Sequence, residues 1–503
     1  MLRSGNLFSN DYKEEKYSYK ADFELPFNIS NKASGFFKFG GQMHNQTNST
    51  DQEAPYLGFN GSATGTGTDI QSNLMREVQD EFGVSVNEMG ELTGATFLNS
   101  NDKLFDPFLD NKYGSIYYAA NPNKLINVLN YIIGNPEFDA SNIEASTGAQ
   151  GGWYDGPYQQ LTNDYEYNED YYAGYAMSKI NFWDLMVIGG VRYEKVKTDY
   201  FAYNARDMRN AQAQVMYDTT SKKENDYLLP MVQGKYSPFD WADLRYAYTQ
   251  TLARPDYQLL SPKFTITQGN AIYTGNPDLT PAQAFNHDLN LSFHTNKLGL
   301  FTVGVFYKTI EDFVYTANYQ LDLAEGAGID SLPRYQIIRN GQEVVTPIVN
   351  PTTGKSTANV YRPLNNPFDA TVKGIEFDLQ HNFWYMKAPF KNMIIGINYA
   401  RIWSETKYPF YDVDYRIEGE GRNAKKIFFL VDSSSTGRLL DQPNHILNAY
   451  LGYDYKGFSS RVSVTYQDNS ARGIGGRYRE IDSYTREFFR IDFSDRQYLP
   501  YYH

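Results

Sequence analysis

The sequence contains no cysteine. This excludes disulfides, thiolate nucleophiles and Cys-based metal sites. No apolar run approaches the roughly 20 residues of a membrane-spanning helix; the longest apolar clusters, at 186–191 and 393–397, are strand-sized. Positive charge is in the minority, with 46 Lys and Arg against 59 Asp and Glu and a formal net charge of −13. An acidic surface does not suit phosphate backbones, so no nucleic-acid partner is expected, and a polybasic membrane anchor is equally excluded. Chemical signatures are missing too. There is no HExxH, no GxSxG and no Walker loop. The six histidines (His44, His287, His294, His381, His445, His503) show no metal-ligand spacing. No catalytic residue, cofactor or metal is expected, and the chain does not read as an enzyme. The first twenty residues carry no apolar h-region. Either the protein stays inside the cell or the sequence is an internal piece of a longer precursor.

Aromatic residues are abundant at 16%, with 44 Tyr and 32 Phe. Tyr suits positions that are half apolar and half wet, although it is also a good strand former wherever it sits. Alternation is the dominant pattern. In 285–293, Leu289, Leu291 and Phe293 fall on one face and Asp288, Asn290 and Ser292 on the other. In 300–307, Phe301, Val303, Val305 and Tyr307 oppose Thr302 and Gly304. A strand's side chains alternate faces with period two, so each run has one apolar and one polar face. The same reading predicts strands at 17–25, 35–43, 171–179, 185–196, 227–236, 244–252, 374–381, 393–403, 446–455, 459–467 and 488–498.

Connections between these runs alternate between tight turns and long polar segments, the latter at about 46–165, 198–223, 254–281, 316–366 and 405–440. The first carries two helical patterns. One is capped by Asp69, presents Ile70, Leu74, Val78 and Phe82 and stops at Gly83. The other starts at Asn121-Pro122, presents Leu125, Val128, Leu129 and Ile132 and ends at Gly134. The acidic run Asp164, Glu166, Glu169 and Asp170 reads as a solvated loop edge before it reads as a cation site. Roughly 13 strands of about ten residues, joined by alternating short and long connections, form the signature of a transmembrane β-barrel. Strands of a soluble sandwich are shorter, and closure into a barrel satisfies every backbone group in lipid. Mid-strand charges such as Lys20, Asp22, Glu24, Arg245, Glu376 and Asp378 suit a wet lumen, as they would a solvated sheet face.

The ordered set Leu252-Ala-Arg-Pro-Asp-Tyr257, Gly275-Asn-Pro-Asp-Leu-Thr-Pro281, Asn286-His-Asp-Leu289 and Val303-Gly-Val-Phe-Tyr-Lys308 resembles the barrel of TonB-dependent outer-membrane receptors. Val187-Ile-Gly-Gly-Val-Arg-Tyr-Glu194, Gly374-Ile-Glu376 and Asp441-Gln-Pro-Asn-His-Ile-Leu447 with Leu451-Gly-Tyr453 extend the resemblance over about 165–495. It implies an all-β, antiparallel up-and-down transmembrane barrel, of which roughly 13 of about 22 strands are present. Residues 1–503 would form a barrel portion without the family's N-terminal plug domain, with 46–165 a long extracellular loop bearing a small helical insertion.

The resemblance also implies function: active import across a bacterial outer membrane, in contact with outer-membrane lipid. A scarce or bulky solute, such as a siderophore, a glycan or another oligomer, would be captured outside. The inner-membrane TonB complex would supply the energy through the missing N-terminal part, and a surface lipoprotein is a further admissible partner. Loop aromatics are the expected ligand contacts, with Trp153, Tyr154 and Tyr158 in GGWYDGPY as one candidate cluster; the same residues could equally pack the loop onto itself. The alternatives are a passive porin-like or structural barrel, and a soluble surface glycan-binding β-protein.

Overall fold

The computed structural model describes residues 4–30, 33–58, 70–85, 93–104, 112, 117–139, 152–205, 216–267, 271–295, 297, 299–322, 335–339, 342–346, 355–419, 421, 425–474, 481–484 and 486–497. Thirteen long strands pair antiparallel, each with its neighbour in the chain, into one wall. They are β1 (Ser9–Ser30), β2 (Ala33–Glu53), β3 (Tyr165–Phe182), β4 (Leu185–Ala205), β5 (Met216–Phe239), β6 (Ala242–Ala253), β7 (Ala282–Thr295), β8 (Gly299–Glu311), β9 (Ala370–Asn382), β10 (Met393–Glu418), β11 (His445–Tyr455), β12 (Phe458–Gln467) and β13 (Phe488–Gln497). Among the described residues β1 pairs in the wall only with β2, and β13 only with β12.

The register fixes which residues share a face. Asp22 lies opposite Gly40, Gly40 opposite Tyr175, Tyr175 opposite Arg192, and Arg192 opposite Leu229. Asn290 pairs with Gly304, and Gly304 with Glu376. This face carries the charges. The other face carries Phe39, Tyr193, Val232, Leu289, Val305 and Leu451 among many exposed apolar side chains. A one-residue slip would transpose the two sets. Large apolar groups left exposed on this second face have no protein core to meet. They are the lipid-facing surface, and the charged face is the lumen. Cross-strand rings such as Phe23 and Phe39, with centroids 5.6 Å apart, knit this outer face together.

Tight turns lie at one end of the wall, and aromatic side chains ring that end. Trp183 stacks on Phe182, Trp241 stacks on both Phe239 and Phe293, and Trp384 and Tyr385 stand exposed beside the turn after β9. Rings with one apolar side and one polar edge settle at the membrane–water interface, so this end marks one boundary of the bilayer.

At the other end the strands outrun the alternating sequence pattern. Residues 198–223, expected as a polar connection, largely continue the β4–β5 ladder up to the Ala205–Met216 pair. Residues 405–440, expected as a charged segment, extend β10 to Glu418 and pair it with Lys425–Gly437. The long interruption expected from residue 46 begins after Glu53, where β2 ends.

Within that interruption the two helices form as the pattern requires. The first, α1 (Ile70–Phe82), ends at Gly83 with φ +57°, a left-handed conformation that glycine adopts at least cost. The second, α2 (Pro122–Gly134), is capped by the Asn121 side chain, which accepts from the Lys124 N–H. Leu74, Val78, Val128 and Ile132 pack with Leu57, Phe138 and Trp153 into a compact core. A three-stranded sheet of residues 4–6, 56–58 and 152–154 completes this small subdomain.

Candidate functional site

At the long-loop end, residues 254–267 and 271–281 fold back across the lumen face as a strap. Its first residue, Arg254, reaches Glu194 on β4 at 2.6 Å, and Arg192 holds the other Glu194 oxygen at 2.6 Å. Arg192 also donates to the Tyr171 hydroxyl at 2.7 Å, and the Arg254 guanidinium lies 5.3 Å from the Tyr171 ring centre. Two motifs separated by some 60 residues thus meet in one polar cluster. Glu194 is 8% exposed, and two guanidinium groups compensate its burial.

Further along the strap, Asp256 caps the short helix α4 (Tyr257–Leu260) by accepting the Gln258 N–H. The Tyr257 hydroxyl accepts from Gln46 at 3.0 Å. Lys223 on β5 donates to the carbonyls of Asp278 and Leu279. Asn276 donates to the Pro363 carbonyl at 3.0 Å, and Asn365 clamps Thr280 by accepting its N–H and donating to its carbonyl, both at 2.9 Å. Within the strap Phe264–Thr267 pairs with Ala271–Thr274, and these side-chain contacts tie the rest of it to the wall.

Beneath the strap lies a cavity of about 390 Å³, a size typical of small-molecule sites. Lys223, Asn225 and Tyr227, at alternate positions on β5, form one side. His44, Gln46, Tyr167 and Glu169 form another, and Pro255, Tyr257, Leu260 and Leu279 roof it. His44 sits 2.9 Å from Glu169 and stacks on Tyr171, while the Tyr167 hydroxyl donates to the second Glu169 oxygen at 2.7 Å. Below it on the same strands is a second cavity of about 570 Å³, floored by Met177, Leu229 and Met231. Arg254 borders both.

Burial also moves titrations in the strap and beside it. Burial pushes Lys263 below the ordinary lysine range, and it donates to the Asn163 side-chain Oδ1 at 3.2 Å. Asp164 is pushed above the ordinary carboxylate range by burial and by nearby Asp51 and Glu53, against the pull of the Gln52 N–H. Period-two alternation separates the acidic run: Glu169 points to the lumen, while Glu166 and Asp170 take the other face. Among the described residues no cluster of His, Asp and Glu could hold a metal ion.

The aromatic residues expected as ligand contacts belong to the external subdomain. Trp153 is 7% exposed within the subdomain core, Tyr154 is 3% exposed, and Tyr158 sits on α3 (Pro157–Leu161). Arg254 and Glu194 stand inside the segments 252–257 and 187–194, yet no local spacing marks them as site residues. The available signal was a charged residue at an inward position next to a turn-rich segment.

Lipid-facing strands, a charged lumen and a strapped cavity at the open end define an outer-membrane β-barrel. Residues 2–497 match the family described as TonB dependent receptor-like, beta-barrel, and the chain belongs to that family of transporters. No curated protein matches the chain. Solved structures similar to it include the Serratia marcescens hemophore receptor HasR in complex with HasA and heme (10% identity, 97% of this chain and 54% of that one, TM-score 0.49). The siderophore receptor PiuA from Acinetobacter baumannii is another (10% identity, 98% and 50%, TM-score 0.48). The ferric citrate transporter FecA is a third (11% identity, 97% and 47%, TM-score 0.45). The chain spans about half the length of these structures.

Proposed function

We propose that the protein is an active-transport receptor. It captures a scarce or bulky solute outside the cell and passes it to the periplasm with energy from the inner-membrane TonB complex. The observation that carries this reading is the cavity under the 254–281 strap. It opens on the lumen face at the long-loop end, where a solute arriving from outside first meets the barrel, and a second cavity continues below it on the same strands. The described residues between 54 and 164 belong to an external subdomain of the same barrel unit. Trp153, in the subdomain core, Tyr154, beside Tyr56, and Tyr158, on α3, would contribute to the surface that meets the solute. A surface lipoprotein would dock on the external loops.

The test compares uptake in cells with and without the gene, before and after the proton gradient is collapsed. Radiolabelled ferric siderophores and oligosaccharides serve as solutes. Uptake that needs both the gene and the gradient supports active import. Gene-dependent uptake that persists at the same rate without the gradient would show a passive pore instead.

A further inference from the structure

The charged groups around the upper cavity are already engaged. Both Glu169 oxygens are taken, one by His44 and one by the Tyr167 hydroxyl. Glu194 holds Arg254. Asp256 caps α4, Lys223 binds two carbonyls, and Lys16 donates to Gln46 at 3.0 Å. The groups with unused hydrogen-bonding capacity are of a different kind. The Asn225 amide and the Tyr227 hydroxyl have no hydrogen-bond partner among the described residues, and His44 Nδ1 is buried without one. All three residues line the cavity, and Asn225 and Tyr227 stand side by side on the lumen face of β5.

Arg254 is paired with a carboxylate, both Glu169 oxygens are filled, and Lys16 and Lys223 are held by neutral oxygens, so a charged ligand would have to displace contacts the wall already makes. Amide and phenol groups both donate and accept, so they suit a partner that does the same. Hydroxyl groups on a neutral ring meet that description. The faces of Tyr227 and Tyr257 offer flat apolar contact, and a roof of Pro255, Leu260 and Leu279 excludes water from the ring's carbon skeleton.

We infer that the upper cavity binds a neutral, hydroxyl-rich ring, such as one sugar unit of a glycan. Asn225 and Tyr227 hydrogen-bond its hydroxyls, and tyrosine rings pack against its face. This rests on the cavity being the solute's first stop during import.

The experiment is titration calorimetry on the full-length protein in detergent micelles. Neutral hexose and pentose oligosaccharides are compared with inorganic phosphate and citrate, at low and high salt. A neutral oligosaccharide should bind with little salt dependence. Tyr227→Phe, which removes only a hydroxyl, should weaken that binding roughly five- to tenfold, the loss of about one hydrogen bond. Asn225→Ala should weaken it similarly. Salt-sensitive binding of the anions without saccharide binding overturns the inference, as does saccharide binding that ignores both substitutions. Gradient-dependent uptake of a different solute by cells, with no saccharide bound, defeats the sugar assignment and leaves import standing. Loss of gene-dependent uptake altogether defeats the import reading itself.

Discussion

At the scale of single residues, Glu194 is a buried carboxylate of the lumen wall held by two guanidinium groups. Arg254→Ala removes one of its two guanidinium partners and leaves a buried carboxylate half compensated. Because Arg254 is itself 40% exposed, the cost is below that of a fully buried pair, about 1–3 kcal/mol. It is readable as a lower unfolding midpoint in detergent. Arg254→Lys should recover only part of it, since an ammonium cannot match the guanidinium's planar fork. Asp164 gives a pH signature with a definite sign. Its pKa is raised in the folded chain, so the folded state holds a proton that the unfolded chain has already lost. Stability of the external subdomain therefore falls as pH climbs from the unfolded carboxylate value, about 4, through the higher folded value. Asp164→Asn should flatten that slope, and hydrogen exchange of the subdomain across this pH range measures it.

At the scale of elements, the two faces of each strand make opposite demands. Val305 faces lipid and Thr302 faces the lumen, where it lies opposite Asp378. Val305→Arg should cost roughly 2–4 kcal/mol near the midplane, while Thr302→Arg should be tolerated. Folding into vesicles at increasing denaturant compares them, and equal tolerance would falsify the assignment of faces. The strands were legible in the sequence because lipid on one side and water on the other impose a period of two. The same reasoning explains where the reading stopped. Residues 198–205 and 216–223 pair as strands, yet Lys197, Thr198 and Asp199 run polar on both faces. Once a ladder rises out of the bilayer, nothing demands an apolar side, and the periodic signal disappears. The helices of the external subdomain remained legible because Asn121, Pro122 and Gly83 act locally. The site did not. Arg254 and Glu194 meet through β-pairing across three strands, and Asn276 and Asn365 hold the strap through contacts that no local spacing announces.

For the whole molecule, the distribution of tryptophan predicts depth. Trp183, Trp241 and Trp384 stand at the tight-turn end, whereas Trp153 is enclosed in the external subdomain. In vesicles of brominated lipid, fluorescence of the first three should be quenched strongly. Variants that retain only Trp153 should be quenched weakly. Similar quenching of both sets would contradict the placement of the bilayer.

The short strand at residues 4–6 gives the molecule a mechanical property. It pairs with residues 56–58, and Leu7 donates to the Pro55 carbonyl just before β1 begins. Tension along this segment is therefore borne first by the external subdomain's sheet, and only then by the ladder between β1 and β2. A tug there would load the outer cover before it could peel the first strand from the wall.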